Sequence, residues 1–216
     1  MPSLSTSSVS DRECILVLQG GGALGAYQAG VFESLAKGYC APTWVAGISI
    51  GAINAALVTG NPPATRVARL REFWDLVTSG APAPLVAPPW GARETLNESS
   101  ASQALLFGVP GFFKPRFPPA PFQPRGTLEA ISYYDTSALQ STLERLVDFD
   151  RINAGPVRLS VGAVNVRPGN FAYFDSSRPR LDARTIMAGG ALPPGFAPVA
   201  VDAANYGAGG PWSRPS

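Results

Sequence analysis

Along the first third of the chain, short apolar runs alternate with glycine-rich turns and helical periodicities. Cys14 to Leu18 (CILVL) is a continuous apolar stretch of the kind that forms a buried strand in a parallel sheet. It runs into Gly20-Gly21-Gly22-Ala23-Leu24-Gly25. From Ala26 to about Lys37 the pattern predicts a helix, with Val31, Phe32 and Leu35 at helical spacing. Trp44 to Ala46 predicts a second short strand, which enters Gly47-Ile48-Ser49-Ile50-Gly51. The alanine-rich run from Ala52 to about Val58 predicts a helix that Pro62-Pro63 stops, and another helix is expected from Ala64 to Val77.

Residues 79–134 break this pattern. Pro and Gly are dense there, and aromatic residues are interleaved with them. An insertion of this length inside a domain is usually functional or mobile. One reading is a lid or lipid-contacting flap. The other is a surface excursion pinned to the core by Phe112, Phe113, Phe117 and Phe122.

Periodicity returns at Tyr134. Thr136 is placed to cap a helix running through Leu139, Leu143 and Val147. Val157 to Val166 predicts a strand with Asn170 to Phe174 as its hairpin partner, and Leu181 to Ala188 a short helix. From Gly189 onward the chain is rich in Gly and Pro. This order of elements predicts a layered α/β fold with a mostly parallel central sheet.

Length and composition narrow the function classes. The 216 residues suit one domain with a sizeable core, placed at 13–210. Residues 1–12 are polar and Ser-rich and read as a disordered leader without the features of a signal peptide. No apolar run reaches the roughly 18–20 residues of a membrane span. A cytoplasmic protein that meets a membrane only at its periphery is therefore expected. The net charge is +2 and no basic run occurs, so nucleic acid is not an expected partner. Cys14 and Cys40 are expected as buried reduced thiols. The most informative count is that of histidine, which is zero. A Ser-His-Asp triad cannot exist here, and histidine bases and metal ligands are excluded with it.

Two motifs carry the candidate chemistry. Gly20-x-Gly22-x-x-Gly25 between a strand and a helix has the form of a dinucleotide fingerprint. That reading also wants an acid about 20 residues on, to hold a ribose hydroxyl. After Glu33 the next acid is Glu72. A phosphate loop would need Gly-Lys-Ser/Thr, whereas Gly25 is followed by Ala26 and Tyr27. The loop has two other uses: a tight strand–helix turn, or a set of amides at Gly20, Gly21, Gly22 and Gly25 aimed at an oxyanion. The second motif, Gly47-x-Ser49-x-Gly51, also joins a strand to a helix, the context of a nucleophile elbow. There Ser49 is either the nucleophile or a helix cap.

Together the two loops resemble the patatin-like phospholipases. The matching stretches are LQGGGALGAYQAGV (Leu18 to Val31), GISIGAINAAL (Gly47 to Leu57) and MAGGALPPGFAPV (Met187 to Val199), within a likeness covering residues 14–206. The resemblance implies a three-layer α/β/α fold and a Ser–Asp dyad with Ser49 as nucleophile. It also implies hydrolysis of phospholipids or other fatty-acyl esters without metal or organic cofactor. The missing histidine agrees with a dyad.

One part of the family pattern is missing. The family's Asp precedes a Gly-Gly or Gly-Ala pair shortly after the Ala-Leu-Pro-Pro segment. Here Gly209-Gly210 is preceded by Ala208. Three accounts compete: a truncated or frameshifted chain with an aberrant tail at 211–216, a naturally inactive relative, or a substitute acid such as Asp202 or Asp175. Each of the first two predicts impaired activity, because a serine hydroxyl without a base is a poor nucleophile. The alternatives to a hydrolase are a non-catalytic domain that binds lipid or a partner through its Pro- and Phe-rich segment, and a nucleotide-binding domain.

Overall fold

The computed structural model describes residues 13–38, 41–80, 104–178, 180–202 and 204–208. The first half contains β1 (Ile15–Leu18), α1 (Gly25–Ala36), β2 (Trp44–Ile48), α2 (Ile50–Thr59) and α3 (Arg66–Thr78). Then come β3 (Lys114–Pro115), β4 (Tyr134–Asp135), α4 (Ser137–Leu146) and α5 (Phe149–Ala154). The rest is β5 (Arg158–Asn165), β6 (Phe171–Asp175), α6 (Ala183–Ala188), β7 (Val199–Val201) and β8 (Ala204–Gly207).

β1, β2 and β5 lie side by side and parallel, with Leu16, Val45 and Leu159 in one row. β6 returns antiparallel along β5 as the expected hairpin partner. β8 pairs antiparallel with β5 at Val164 and Asn165, and β7 pairs antiparallel with β8. Four of the six strands therefore run in one direction. Val164 pairs with both Phe171 and Gly207, so β8 must occupy the β2 edge of β5, past Gly162 where β2 ends. The β7–β8 hairpin thus stands at the carboxyl end of the parallel strands. β3 and β4 pair separately.

The core lies between this sheet and the helices. Right-handed crossovers that add strands in one direction put their helices on one face. Accordingly α2 lies across β1, β2 and β5, and α1 and α3 pack against α2. Every residue of α2 is buried. Ala52, Ala55 and Ala56 let it press closely on the sheet, and Leu57 fills the space beneath. Val45, Leu159 and Val161 meet it from the strands, with Leu143, Leu146, Ile152 and Ile186 from the later helices. Each such side chain contributes roughly 1.5–3 kcal/mol of burial.

Several local expectations change in three dimensions. β1 is parallel but is an edge strand, and Ile15 and Val17 on its other face are exposed. In α1 only Phe32 of the three periodic residues is buried, because the helix packs on α2 and α3 rather than on the sheet. Thr136 makes no side-chain cap on α4. Asp135 does this work, accepting from the Ser137 amide at 2.9 Å and the Ser137 hydroxyl at 3.1 Å. The Gly- and Pro-rich tail contains β7 and β8, too short to show a period. Cys14 is half-buried and disulfide-bonded rather than a reduced thiol. Cys40, the disordered leader and the tail from Gly209 lie outside the described residues.

Candidate active site

Ser49 occupies the turn between β2 and α2 with φ 55° and ψ −128°, a region that costs a non-glycine residue about 1–3 kcal/mol. The turn closes tightly. A Cβ on Gly47 would stand 2.3 Å from the Gly51 carbonyl oxygen, and one on Gly51 would stand 2.2 Å from that of Leu18. Only glycine fits either position. The Ser49 amide donates to the Gly189 carbonyl at 3.0 Å, tying the elbow to the segment after α6. Ser49 sits at the N-cap of α2, yet its hydroxyl caps nothing. The helix-cap reading therefore loses, and Ser49 instead lines the adjoining cavity.

The glycine loop faces this hydroxyl. A Cβ on Gly20 would lie 3.1 Å from Ser49 Cβ and 3.8 Å from Ser49 Oγ. Gly22 follows with φ 54° and lines the same cavity as Ser49. Among the described residues, the amides of Gly20 and Gly21 donate to no turn or loop carbonyl. Gly25 behaves differently. Its amide turns back to the carbonyls of Gly22 and Ala23, and its Cα packs against Ile50 and Trp74, where a Cβ would come within 2.5 Å and 2.8 Å. Of the four expected amides, Gly25 is thus committed to packing. The amino ends of α1 and α2 both point into this region, which favours negative charge there.

Asn54 holds the two loops together and had not been singled out by pattern. It is buried on α2, where its amide nitrogen donates to the Gly25 carbonyl at 2.9 Å and to Gln28 at 3.0 Å. Its carbonyl oxygen accepts from Trp74 Nε1 at 3.1 Å. A polar residue in an otherwise apolar helix was the available signal.

Ser49 opens into an apolar cavity of about 280 Å³. Ile50 and Ile53 line it from α2, Trp74 and Val77 from α3, and Ile186 and Met187 from α6. Phe112, Phe113 and Phe196 form an aromatic wall, with ring centroids 5.2–6.1 Å apart, and Tyr134 packs on it 4.8 Å from Phe113. No ionisable side chain lines the cavity among the described residues. Of the four phenylalanines expected to pin the excursion, Phe112 and Phe113 do so. Phe117 and Phe122 are 93% and 78% exposed.

The three positions considered for the acid separate clearly. Ala208 adjoins the site: its amide donates to the Ala191 carbonyl at 2.6 Å, and Gly190 beside it reaches Ser49, where a Cβ would be 3.8 Å from Ser49 Cα. Asp202 is exposed at the β7–β8 turn, six residues or roughly 20 Å of extended chain before position 208. Asp175 is buried beside Ser160, near the amino end of β5. Burial pushes its carboxyl up, but hydrogen bonds from Ser160 at 2.5 Å and Ser177 at 2.6 Å, with the Arg158 guanidinium at 2.9 Å, outweigh this and hold it at about 2. Its oxygens are occupied, and neither Asp175 nor Asp202 lines the Ser49 cavity. Among the described residues no cluster of ligating side chains could hold a metal ion, and no helix is long and apolar enough to cross a membrane.

No functionally curated protein matches the chain in sequence. Among solved structures, VipD from Legionella pneumophila is 16% identical with a TM-score of 0.43, over 94% of this chain and 47% of that one. The heterodimeric ExoU–SpcU complex from the type III secretion system of Pseudomonas aeruginosa is 21% identical with a TM-score of 0.36, over 82% of this chain and 36% of the matched chain. The present chain thus spans less than half the length of either. The family model described as patatin-like phospholipase matches residues 16–211, and the chain belongs to that family.

Proposed function

We propose that this domain is a phospholipase A-type lipid acyl hydrolase whose nucleophile is Ser49, and that this chain turns over slowly because Ala208 stands where the dyad acid belongs. The observation that carries the reading is the strained elbow. It holds a serine hydroxyl that caps nothing, at the mouth of an apolar cavity, against a glycine loop in which the Gly20 and Gly21 amides donate to no turn or loop carbonyl among the described residues.

In the complete reaction Ser49 Oγ attacks the ester carbonyl and a carboxylate at position 208 takes its proton. Amides of Gly20, Gly21 and Gly22 hold the oxyanion, each worth about 3 kcal/mol. The alcohol leaves, and water attacks the acyl-enzyme to release the fatty acid. The cavity takes the acyl chain. With Ala208 the oxyanion site and the substrate pocket remain, but the base does not. Members of such a dyad act as a unit, so the loss is several orders of magnitude. The exposed Phe117 and Phe122, flanked by exposed Lys114 and Arg125, suit contact with a lipid surface.

The test is hydrolysis of p-nitrophenyl esters. The chain itself is expected to be near background. Ala208→Asp, which creates Asp-Gly-Gly, is expected to raise turnover by on the order of 100-fold or more, and Ser49→Ala to abolish the gain. Robust Ser49-dependent turnover without the added Asp would show that another acid serves. No gain from Ala208→Asp, with lipid still bound, would favour the second reading, a lipid-binding domain. The absence of ionisable groups around the described cavity supports that alternative.

A further inference from the structure

Behind the Ser49 cavity lies a second one. It is an open, mostly apolar groove of about 490 Å³, lined by Ala104, Phe107, Gly108, Pro110, Lys114 and Ala138. Val77, Val109 and Phe113 line both. These three residues are thus common to the linings of two neighbouring cavities.

The segment carrying Val109 and Phe113 is firmly built. The Val109 amide donates to the Phe113 carbonyl at 2.7 Å and the Phe113 amide to the Val109 carbonyl at 3.1 Å, closing a tight turn. That turn is keyed into the helices. Gly111 takes φ 67°, a Cβ there would stand 2.4 Å from Leu76 of α3, and its carbonyl accepts from the Thr142 hydroxyl of α4 at 2.8 Å. The Phe113 ring is held on three sides by Phe112, Tyr134 and Phe196.

We propose that Phe113, seated by the 109–113 turn, sets the length of acyl chain this protein accepts, and that the groove behind it is a latent extension for longer tails. This rests on the reading of the first cavity as an acyl site. Phe113 lines the far side of the first cavity, so a chain that fills it meets that ring and further carbons have no room beyond it. Removing the ring joins the compartments and gives those carbons an apolar lining.

The test is binding and needs no turnover. Saturated fatty acids from six to sixteen carbons, each kept below its critical micelle concentration, are titrated calorimetrically into the chain, Ser49→Ala, Phe113→Ala and Phe113→Leu. In the unaltered protein and in Ser49→Ala, affinity is expected to rise about fourfold per carbon up to a break below fourteen carbons and then to flatten. In Phe113→Ala it continues to rise, so that a fourteen-carbon acid binds at least tenfold more tightly than to the parent. Phe113→Leu, which keeps an apolar side chain in the turn, gives a smaller shift and serves if the alanine variant does not fold. Ala138→Leu, in a residue that lines only the rear groove, shortens the gain when combined with either. A profile that is unchanged by both Phe113 variants, or that climbs without a break to sixteen carbons in the parent, overturns the proposal. Failure of every fatty acid to bind the parent would instead remove the acyl-site reading beneath it.

Discussion

Replacing Gly51 with alanine sets local propensity directly against tertiary packing. Gly51 is the second residue of α2, and in a helix alanine is favoured over glycine by up to about 1 kcal/mol. The fold argues the reverse. The new methyl would lie 2.2 Å from the Leu18 carbonyl oxygen, 2.6 Å from its carbon and 2.7 Å from the Gln19 carbonyl oxygen. All three belong to backbone leaving β1, and none can rotate aside as a side chain would. Relief requires the start of α2 to retreat by roughly 1 Å, yet every residue of α2 is buried. Overpacking of this kind costs about 1–3 kcal/mol and sometimes more. Against a propensity gain of at most about 1 kcal/mol, backbone contacts this short put the cost at the upper end of that range, so a net loss of up to about 2 kcal/mol is expected, or a melting temperature lower by as much as roughly 4–8 °C for a domain of this size. Urea unfolding followed by circular dichroism measures it. A second readout is catalytic: about 1 Å of displacement at Ser49 is expected to cost on the order of 100-fold in ester turnover, measured with Ala208→Asp present. A Gly51→Ala protein as stable as its parent, or more so, would refute the close approach of α2 to β1 and the elbow geometry with it.

Two further outcomes follow from the same structure. Ser49→Gly is expected to raise stability by about 1 kcal/mol or more, since glycine adopts φ 55° without strain and the hydroxyl caps nothing; a less stable variant in urea would show that the elbow stores no strain. Asp175→Asn is expected to cost about 2 kcal/mol at pH 7, from a carboxyl held at about 2 against its ordinary value of 3.8. Because the folded value is depressed, that contribution is present in full above about pH 4 and fades as pH falls toward 2, so the parent and variant unfolding curves should converge there. A gap that persists unchanged at pH 2 would mean that the hydrogen bonds from Ser160, Ser177 and Arg158 do not act on the charge.

Much of the molecule could be read along the chain. The parallel strands, their helices and the hairpin of β5 with β6 follow from apolar runs and periods that need only neighbours in sequence. Both glycine-bearing turns were legible for the same reason, since strand, turn and helix are consecutive. The alanine at 208 was legible as a departure from the family pattern. Other features depended on which surfaces meet. Val17 and Leu18 are equally apolar, but one faces out of an edge strand and the other into the core. Gly20 and Gly25 share a motif, yet Ile50 and Trp74 commit the second to packing and Ser49 faces the first. Phe113 and Phe117 stand four residues apart in one Pro-rich stretch, and only the first finds rings and helices to pack against. Sequence thus determined the elements and the strand–turn–helix form of the elbow, which are set by local backbone preference. The tertiary structure decided burial, the packing of each glycine and the shape of the Ser49 cavity, because these depend on side chains brought together from distant parts of the chain.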